Sequence, residues 1–120
     1  MTLRLDVDRL FKSIDQMDAD EFSSFLTQDG VFTYGNAEPV RGRQAVRDAV
    51  AGFFSSIAGL HHHDATTWDA DEVVVTEGRS TYTRLDGRAV EVPFVNVYRM
   101  EGDLIRDYRI YIDISPVYAD

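Results

Sequence analysis

The second half of the chain contains four long segments in which side chains of different character alternate, and these segments limit the possible fold most. They span residues 60–69, 73–85, 88–100 and 104–114. The pair Asp86-Gly87, between the second and third segments, is a strong hairpin signal. Pro93 interrupts the third segment, which predicts a bulge or an edge position there. Because the connections are short, we predict an antiparallel meander of four strands.

Three helical segments are predicted before these strands. Apolar residues at helical spacing indicate a first helix over 6–15. Asp18 and Glu21 have the spacing of a capping box and predict a second helix that ends near residues 28–30. A short strand over 31–34 and a third helix over 43–56 follow. Helices followed by a meander indicate an α+β fold, with a three-helix layer on a curved antiparallel sheet in a single domain, 1–120.

Composition excludes several classes of function. The chain has 21 acidic and 12 basic residues and a net charge of −9, which disfavours binding to nucleic acids or anionic lipid surfaces. It has no cysteine, so neither a thiolate nucleophile nor a disulfide can form. No apolar run approaches the ~20 residues that span a bilayer. Because the start of the sequence also lacks signal-peptide features, we expect a cytoplasmic protein.

The last strand ends in a carboxylate, Asp113, between two isoleucines. Alternation places Arg109, Tyr111 and Asp113 on one face, and we predict that this face points into a pocket. An apolar surround disfavours ionisation and raises a carboxyl pKa toward the range used in proton transfer. Asp113 is therefore the predicted catalytic acid or base, although an ion pair with Arg109 or a cap at the strand end would also explain it.

Three consecutive histidines begin the first long strand. Alternation predicts that His61 and His63 share the inner face while His62 points away. Two histidines are too few for a catalytic zinc, so we expect no metal. A histidine that hydrogen-bonds Asp113 would form a proton relay, and we therefore predict His61 and His63 as catalytic partners. Partly solvated strand histidines are the alternative.

Aromatic and polar side chains are predicted to form the pocket wall. Ordinary core packing would equally explain most of the aromatic residues. A hydroxyl or amide deep in a cavity requires a partner, which favours a ligand role for the polar members. The predicted substrate-binding residues are Tyr34, Phe54, Trp68, Tyr82, Asn96, Tyr98, Arg109 and Tyr111. A cavity smaller than roughly 300 Å³ would leave no room for the expected substrate.

The outward face of the last two strands is predicted to be apolar. An exposed apolar patch of this kind usually marks a protein contact, and we expect a two-fold homodimer through it. Coverage by the tail over 116–120 is the alternative. The predicted dimer residues are Val95, Val97, Ile110, Ile112 and Ile114.

Several short motifs resemble the SnoaL-like branch of the nuclear transport factor 2-like superfamily across essentially the whole chain. They are Asp29-Gly30-Val31-Phe32, Glu38-Pro39-Val40-Arg41-Gly42, Asp86-Gly87-Arg88, Pro93-Phe94-Val95 and Arg109-Ile-Tyr-Ile-Asp113. The resemblance implies a cone in which a strongly bent sheet wraps around three helices and encloses a pocket. It does not fix the reaction, because the superfamily includes isomerases, epoxide hydrolases, polyketide cyclases, dehydratases and non-catalytic binders.

Most of the catalytic residues of ketosteroid isomerase have no counterpart in this sequence. Its general base would fall on Thr33 or Tyr34, neither of which is a carboxylate, and no tyrosine precedes Tyr34 to supply its first oxyanion donor. Its second donor falls on Asn96, whose amide is still able to polarise a carbonyl.

Two other relatives match at Asp113. In limonene epoxide hydrolase this residue needs an Arg-x-Asp pair, whose positions here are Ser80 and Tyr82. Polyketide cyclases of the SnoaL type need only an apolar cavity and one Asp. We therefore predict a cofactor-independent cyclase or isomerase, with dehydration and then hydrolysis as less favoured reactions, acting on a small hydrophobic carbonyl compound. A non-catalytic ligand-binding or dimerisation module is the alternative.

Overall fold

A computed structural model describes residues 5–119 as four helices and one six-stranded sheet. The helices are α1 Val7–Asp15, α2 Ala19–Ser23, α3 Arg43–Phe54 and α4 Ser115–Tyr118. The strands are β1 Leu26–Tyr34, β2 Val40–Arg41, β3 Gly59–Ala70, β4 Val73–Thr83, β5 Ala89–Glu101 and β6 Leu104–Ile112. The predicted α+β class is confirmed. Within the described residues no helix is long and apolar enough to cross a membrane.

The sheet is mixed rather than wholly antiparallel. Its strand order is β2-β1-β6-β5-β4-β3, and β3 to β6 form the predicted antiparallel meander. However, β1 runs parallel to β6, with Phe32 opposite Tyr108 and Tyr34 opposite Ile110. The antiparallel prediction is wrong for this pair, because the chain returns to the first strand from the far side of the meander.

The helices follow local sequence signals closely. Asp6 accepts a hydrogen bond from the Arg9 amide at 3.1 Å and starts α1, and Asp18 accepts one from the Glu21 amide at 3.1 Å and starts α2. The second helix is shorter than predicted, because β1 already begins at Leu26. There the Ile105 amide donates to the Phe25 carbonyl at 2.8 Å, so pairing with β6 overrides local helix propensity.

A bulge in β6 decides which residues face the interior. Arg99 pairs with Asp107 and Met100 with Ile105, so Arg106 is an extra residue in the ladder. Ile105 and Tyr108 are consequently both fully buried although they lie three residues apart. Beyond the bulge, the inner face of β6 carries Tyr108, Ile110 and Ile112.

The predicted inner and outer faces of the last part of β6 are reversed. Directly paired residues share a face, and Val95 pairs with Tyr111 while Val97 pairs with Arg109. Tyr111 and Arg109 are exposed on the outer face beside these valines. The physical reason is burial of apolar area, which favours the isoleucine face inside.

Pro93 lies in a central strand but at a local edge. β5 is paired on both sides along most of its length, and its last pair with β6 is Phe94 with Ile112. Pro93 falls one residue beyond this pair, where β6 no longer runs beside β5. The predicted edge position is thus correct locally, and the strand as a whole is not an edge strand.

The C-terminal turn α4 packs against the body of the fold. Val117 is 3 % exposed and joins the core, and the Tyr118 hydroxyl lies 2.6 Å from the Ser56 hydroxyl oxygen. The Arg84 guanidinium donates to the Pro116 and Ala119 carbonyls. These contacts hold the end of the chain against α3 and the β4–β5 hairpin.

Gly78 permits a close approach between β3 and β4. A Cβ at this position would lie 3.0 Å from the Ala65 Cα and 3.1 Å from the His63 carbonyl oxygen. The approach coincides with an irregularity in β3 between His63 and Thr66, where Asp64 has a φ of 54°. The bulge shifts the alternation of β3 directly after the histidines.

We expect Gly78→Ala to lower the free energy of unfolding by about 1–3 kcal/mol, because its Cβ would collide with backbone atoms that cannot move freely. Gly52→Ala is the matched control. Its Cβ would meet no atom within 4 Å, and alanine favours an exposed helix position by about 0.5–1 kcal/mol. Urea unfolding measures both variants. Equal stability of the two variants would contradict this assignment of the close contact.

Candidate functional site

A cavity lies between the inner face of the sheet and the helices. Its volume is about 230 Å³, and most of its wall is apolar. Aromatic rings supply much of that wall and include Phe22, Phe32, Tyr34, Phe54, Tyr82 and Phe94. Exposed Ala37, Glu38 and Ala49 also line it, so the cavity opens between the β1–β2 loop and α3.

The cavity volume limits the size of a ligand. It falls below the ~300 Å³ stated above as the room that the expected substrate needs, so by that bound a substrate of drug size does not fit. A dry cavity of ~150 Å³ is already able to hold benzene. A volume of about 230 Å³ therefore suits a molecule of one or two rings.

His62 is the imidazole that lines this cavity, and it is paired with a carboxylate. Its Nδ1 lies 2.6 Å from Oδ1 of Asp15, the last residue of α1. The same carboxylate accepts the backbone N–H of His62 at 3.1 and 3.2 Å. The side chain of His62 is only 9 % exposed, and that of Asp15 is 22 % exposed. This pair is the only histidine–carboxylate contact that borders the cavity among the described residues.

The carboxylate partner of His62 determines which tautomer its neutral ring adopts. An ionised carboxylate only accepts hydrogen bonds, so the Nδ1 atom must carry a proton. In the neutral ring Nε2 then holds the free lone pair. Phe11 stacks on the imidazole at 4.2 Å between ring centroids, and Phe94 meets it edge-on at 5.4 Å. The arrangement provides an oriented base in an apolar wall.

The predicted orientation of the three histidines is wrong. Leu60 pairs with buried Tyr82 and His62 pairs with buried Ser80, so His62 is the inward residue. His61 is exposed on the outer face, and its Nδ1 lies 3.5 Å from Oδ2 of Asp15. The alternation that starts from apolar Leu60 would have predicted this orientation.

His63 also lies outside the cavity, where polar side chains of β3, β4 and β5 contact both of its ring nitrogens. Its Nε2 lies 2.9 Å from the Thr81 hydroxyl and 3.3 Å from the Glu91 carboxylate. Its Nδ1 lies 3.1 Å from the Asp64 carboxylate. The predicted catalytic role of His61 and His63 therefore has no support from their positions.

Asp15 was not predicted as a site residue, although the sequence carries a signal for it. A carboxylate at a helix C-terminus is unfavourable, because the helix dipole places negative charge there. Positions that break a local preference are often functional. In the structure the His62 amide and ring offset this repulsion by hydrogen bonding to Asp15.

Tyr34 and Tyr82 form a second polar feature of the cavity. Their hydroxyl oxygens lie 2.7 Å apart, and both residues line the cavity as predicted. Burial raises the pKa of Tyr34 far above that of a free phenol, and burial likewise raises the pKa of Tyr82. Both phenols therefore stay protonated and neutral at physiological pH.

Asp113 lies outside the cavity, contrary to its predicted catalytic position. β6 ends at Ile112, and the exposed carboxylate of Asp113 accepts the Ser115 N–H at 3.0 Å. Hydrogen bonds from the Ser115 side chain and backbone lower its pKa instead of raising it. Arg109 and Tyr111, on the same predicted face, are exposed on the outer surface of the sheet.

The other predicted wall residues divide into three groups. Phe54 lines the cavity as predicted. Trp68 is 51 % exposed on the outer face, because it pairs with Val75 after the β3 bulge has shifted the alternation. Asn96 and Tyr98 are buried below the cavity, where the Asn96 amide donates to the Tyr98 hydroxyl at 3.0 Å. These last two are core residues rather than lining residues.

Within residues 5–119 no group of three or more histidine, aspartate or glutamate side chains is arranged to hold a metal ion. His61 and Asp15 approach each other, but His62 uses the same carboxylate.

Comparison with known families agrees with the observed fold. The sequence profile of the SnoaL-like domain matches residues 7–108. The chain belongs to the SnoaL-like domain family. The match ends before Asp113, whereas Asp15, His62 and the two cavity tyrosines lie within it. No curated protein matches the chain in sequence.

Solved structures of this fold resemble the SnoaL-like chain closely. An NTF2-like protein of unknown function from Burkholderia pseudomallei has a TM-score of 0.82 at 18 % identity, over 92 % of this chain and 89 % of that one. A hypothetical protein with a ketosteroid isomerase-like fold from Catenulispora acidiphila, in complex with trimethylamine, has a TM-score of 0.85 at 17 % identity, over 92 % and 87 %. A candidate polyketide cyclase from Pseudomonas putida has a TM-score of 0.83 at 13 % identity, over 96 % and 95 %. At such identities these likenesses establish the fold alone.

The carboxyl of Asp113 is expected to titrate below the ~3.9 of a free aspartate, because Ser115 hydrogen-bonds its ionised form. Since the pKa is lowered in the folded state, this group stabilises the fold above the ordinary value and stops doing so as the pH falls through the lowered value. Ser115→Ala should raise the pKa toward that of a free aspartate. Carbonyl-carbon NMR of Asp113 measures both. A midpoint above ~3.9 would restore the buried-acid interpretation.

Proposed function

We propose that this SnoaL-like protein is a cofactor-independent enzyme in which His62, held by Asp15, transfers a proton on a small carbonyl-bearing hydrophobic molecule. The observation that carries the proposal is the His62–Asp15 pair in the wall of an apolar cavity of about 230 Å³. In this proposal Asp15 is the carboxylate in place of Asp113, and His62 is the histidine in place of His61 and His63.

The chemistry begins at the carbon next to the carbonyl. The Nε2 lone pair of His62 takes a proton from this carbon, the C–H electrons form a C=C bond, and the carbonyl π electrons move to oxygen to give an enolate. Asp15 stabilises the imidazolium that results, since its oxygen already accepts the Nδ1 proton. In an enolate conjugated with a second C=C bond, return of the proton from His62 to the far carbon completes an isomerisation. Alternatively, attack of the enolate carbon on a second carbonyl closes a ring, and the imidazolium returns its proton to the alkoxide that forms. General-base catalysis of this kind contributes typically 10²–10⁴-fold.

A non-catalytic ligand-binding module is the second candidate. The exposed position of Asp113 favours it, because the carboxylate that SnoaL-type cyclases use is not in the cavity. A binding module needs the cavity but not an oriented base. The two candidates therefore differ in whether His62 accelerates proton exchange.

The test is the exchange of the α-hydrogens of 2-tetralone, a neutral two-ring ketone, with deuterium in D₂O. We expect the wild-type protein to accelerate this exchange, followed by proton NMR, and His62→Gln to reduce the acceleration by about 10²-fold or more, because glutamine cannot take the proton. Asp15→Asn should also slow it, since an amide is able to donate to Nδ1 and so stabilise the wrong tautomer.

His63→Gln is the matched control, because it makes the same substitution outside the cavity. Its exchange rate should equal that of the wild type. Binding of 2-tetralone without accelerated exchange would favour the non-catalytic module, and loss of exchange in His63→Gln alone would overturn the assignment of His62.

We also propose a homodimer through the outer face of the sheet. Its contact surface, named the outer patch, comprises Trp68, Val75, Val95, Val97 and Tyr111. Trp68 pairs with Val75, Val75 with Val97, and Val95 with Tyr111, so these side chains share one face. Trp68 and Tyr111 are 51 % and 55 % exposed, which is unusual for large apolar side chains.

The outer patch corrects the predicted dimer surface. Val95 and Val97 remain, whereas Ile110 and Ile112 line the cavity and Ile114 packs against the core beyond β6. The cytoplasmic location expected from the composition stays a prediction.

Val97→Arg is expected to dissociate the dimer, because it places a charge in the centre of the outer patch. Light scattering should then give the 13.6 kDa chain mass in place of twice that value. Leu85→Arg is the control, since Leu85 is 71 % exposed in the β4–β5 turn, outside the patch. A wild-type protein that is monomeric at high concentration would refute the dimer.

A further inference from the structure

We propose that the cavity selects neutral ligands of one or two rings, and that the Tyr34–Tyr82 hydroxyl pair binds their carbonyl oxygen. The inference deepens the proposed function and rests on it for the carbonyl group. The ligand class itself is argued from three properties of the cavity: its donor groups, its charge and its size.

The two tyrosine hydroxyls leave one donor unused. Each hydroxyl has a single O–H, and the 2.7 Å contact uses one of the two protons. The Tyr82 oxygen also accepts a hydrogen bond from the Ser80 hydroxyl, so three hydroxyl protons serve two contacts. One O–H therefore remains free in an apolar wall, where an unpaired donor is costly and an acceptor on the ligand would satisfy it.

The cavity lacks a group that would compensate an anion. Its described lining residues include neither lysine nor arginine, and Glu38 adds a carboxylate at the mouth. The His62–Asp15 pair cannot supply net positive charge, since protonation of the ring only neutralises the carboxylate beside it. A ligand carboxylate would thus lose its hydration without an ionic partner.

The register of the sheet places the Tyr34–Tyr82 hydroxyl pair near His62, the proposed base. Tyr82 lies two residues from Ser80, which pairs with His62, so His62 and Tyr82 are diagonal neighbours on one face. The Cα atoms of diagonal neighbours are ~7–8 Å apart, a distance that a ligand with a single ring can span. A carbonyl bound at the tyrosines therefore presents its neighbouring carbons toward His62.

The size of the cavity completes the argument. A volume of about 230 Å³ exceeds what benzene needs and is too small for four fused rings. Tyr108 also lines the cavity, but its hydroxyl oxygen is shielded from the cavity surface and offers no polar contact to a ligand.

Calorimetry with four probes tests the inference: 2-tetralone, tetralin, tetralin-2-carboxylate and a four-ring steroid ketone. We expect 2-tetralone to bind at least about 3- to 10-fold more tightly than tetralin, as one additional hydrogen bond allows. The carboxylate and the steroid should bind more weakly than tetralin. Methyl NMR shifts of Ile110 and Ile112 check that binding occurs in the cavity.

The tyrosine variants give the sharpest result. Tyr34→Phe and Tyr82→Phe should each keep the preference for 2-tetralone, because one free hydroxyl remains in either. The double variant should lose this preference and bind tetralin unchanged. Tyr118→Phe, which removes a hydroxyl outside both the cavity and the outer patch, is the matched control. Tetralin binding and a folded spectrum show that the double variant retains its cavity.

Two results would overturn the inference: a carboxylate that binds as tightly as the ketone, or a double variant that still prefers the ketone. These measurements need no turnover, so they separate the inference from the proposed function. If the ketone preference depends on the tyrosines but His62→Gln leaves exchange unchanged, only the enzymatic proposal fails.

Discussion

The strand register of the meander is the constraint on which the site depends. Residues that pair directly must share a face, so the pairs that join β3 to β6 determine one common inner surface. Once Leu60 is inside opposite Tyr82, His62 has to be inside opposite Ser80. The same rule carries through Phe94 to Ile112 and turns Tyr111 outward. Burial of the apolar members stabilises this choice over the reverse one.

Sequence patterns predicted the elements better than their faces. The periods of α1 and α3, the capping residue Asp18 and the Asp86-Gly87 turn are local signals, and the structure follows them. The parallel pairing of β1 with β6 is not local, because it joins residues more than 70 positions apart, for example Phe32 and Tyr108. In the last part of β6 the predicted alternation is correct, but the face assigned to the interior is wrong, because the isoleucine face is the one that is buried.

The sequence predicts the type of residue pair at the candidate site but assigns it to the wrong residues. A histidine–carboxylate pair beside an apolar pocket was expected, with Asp113 as the carboxylate. The resemblance to SnoaL-type cyclases implies a catalytic Asp113 on the inner face of the last strand, although the isoleucine-rich face is the one that burial favours. Asp15 lies 47 residues from His62 in sequence, so only the docking of α1 on β3 brings the two together. Tyr34, Phe54 and Tyr82 line the cavity as predicted, because burial of large aromatic rings is favourable.

Asp15 links the mechanical and chemical properties of the molecule. Its carboxylate accepts both the backbone N–H and the ring N–H of His62, so one group anchors the end of α1 to β3 and sets the angle of the imidazole. Because this contact joins α1 to the imidazole, a shift of α1 along the sheet would also rotate the ring of His62. Substitutions that loosen α1, even far from the cavity, should therefore act on the alignment of His62 as well as on folding. Rigidity of the first helix is, in this sense, a property of the candidate active site.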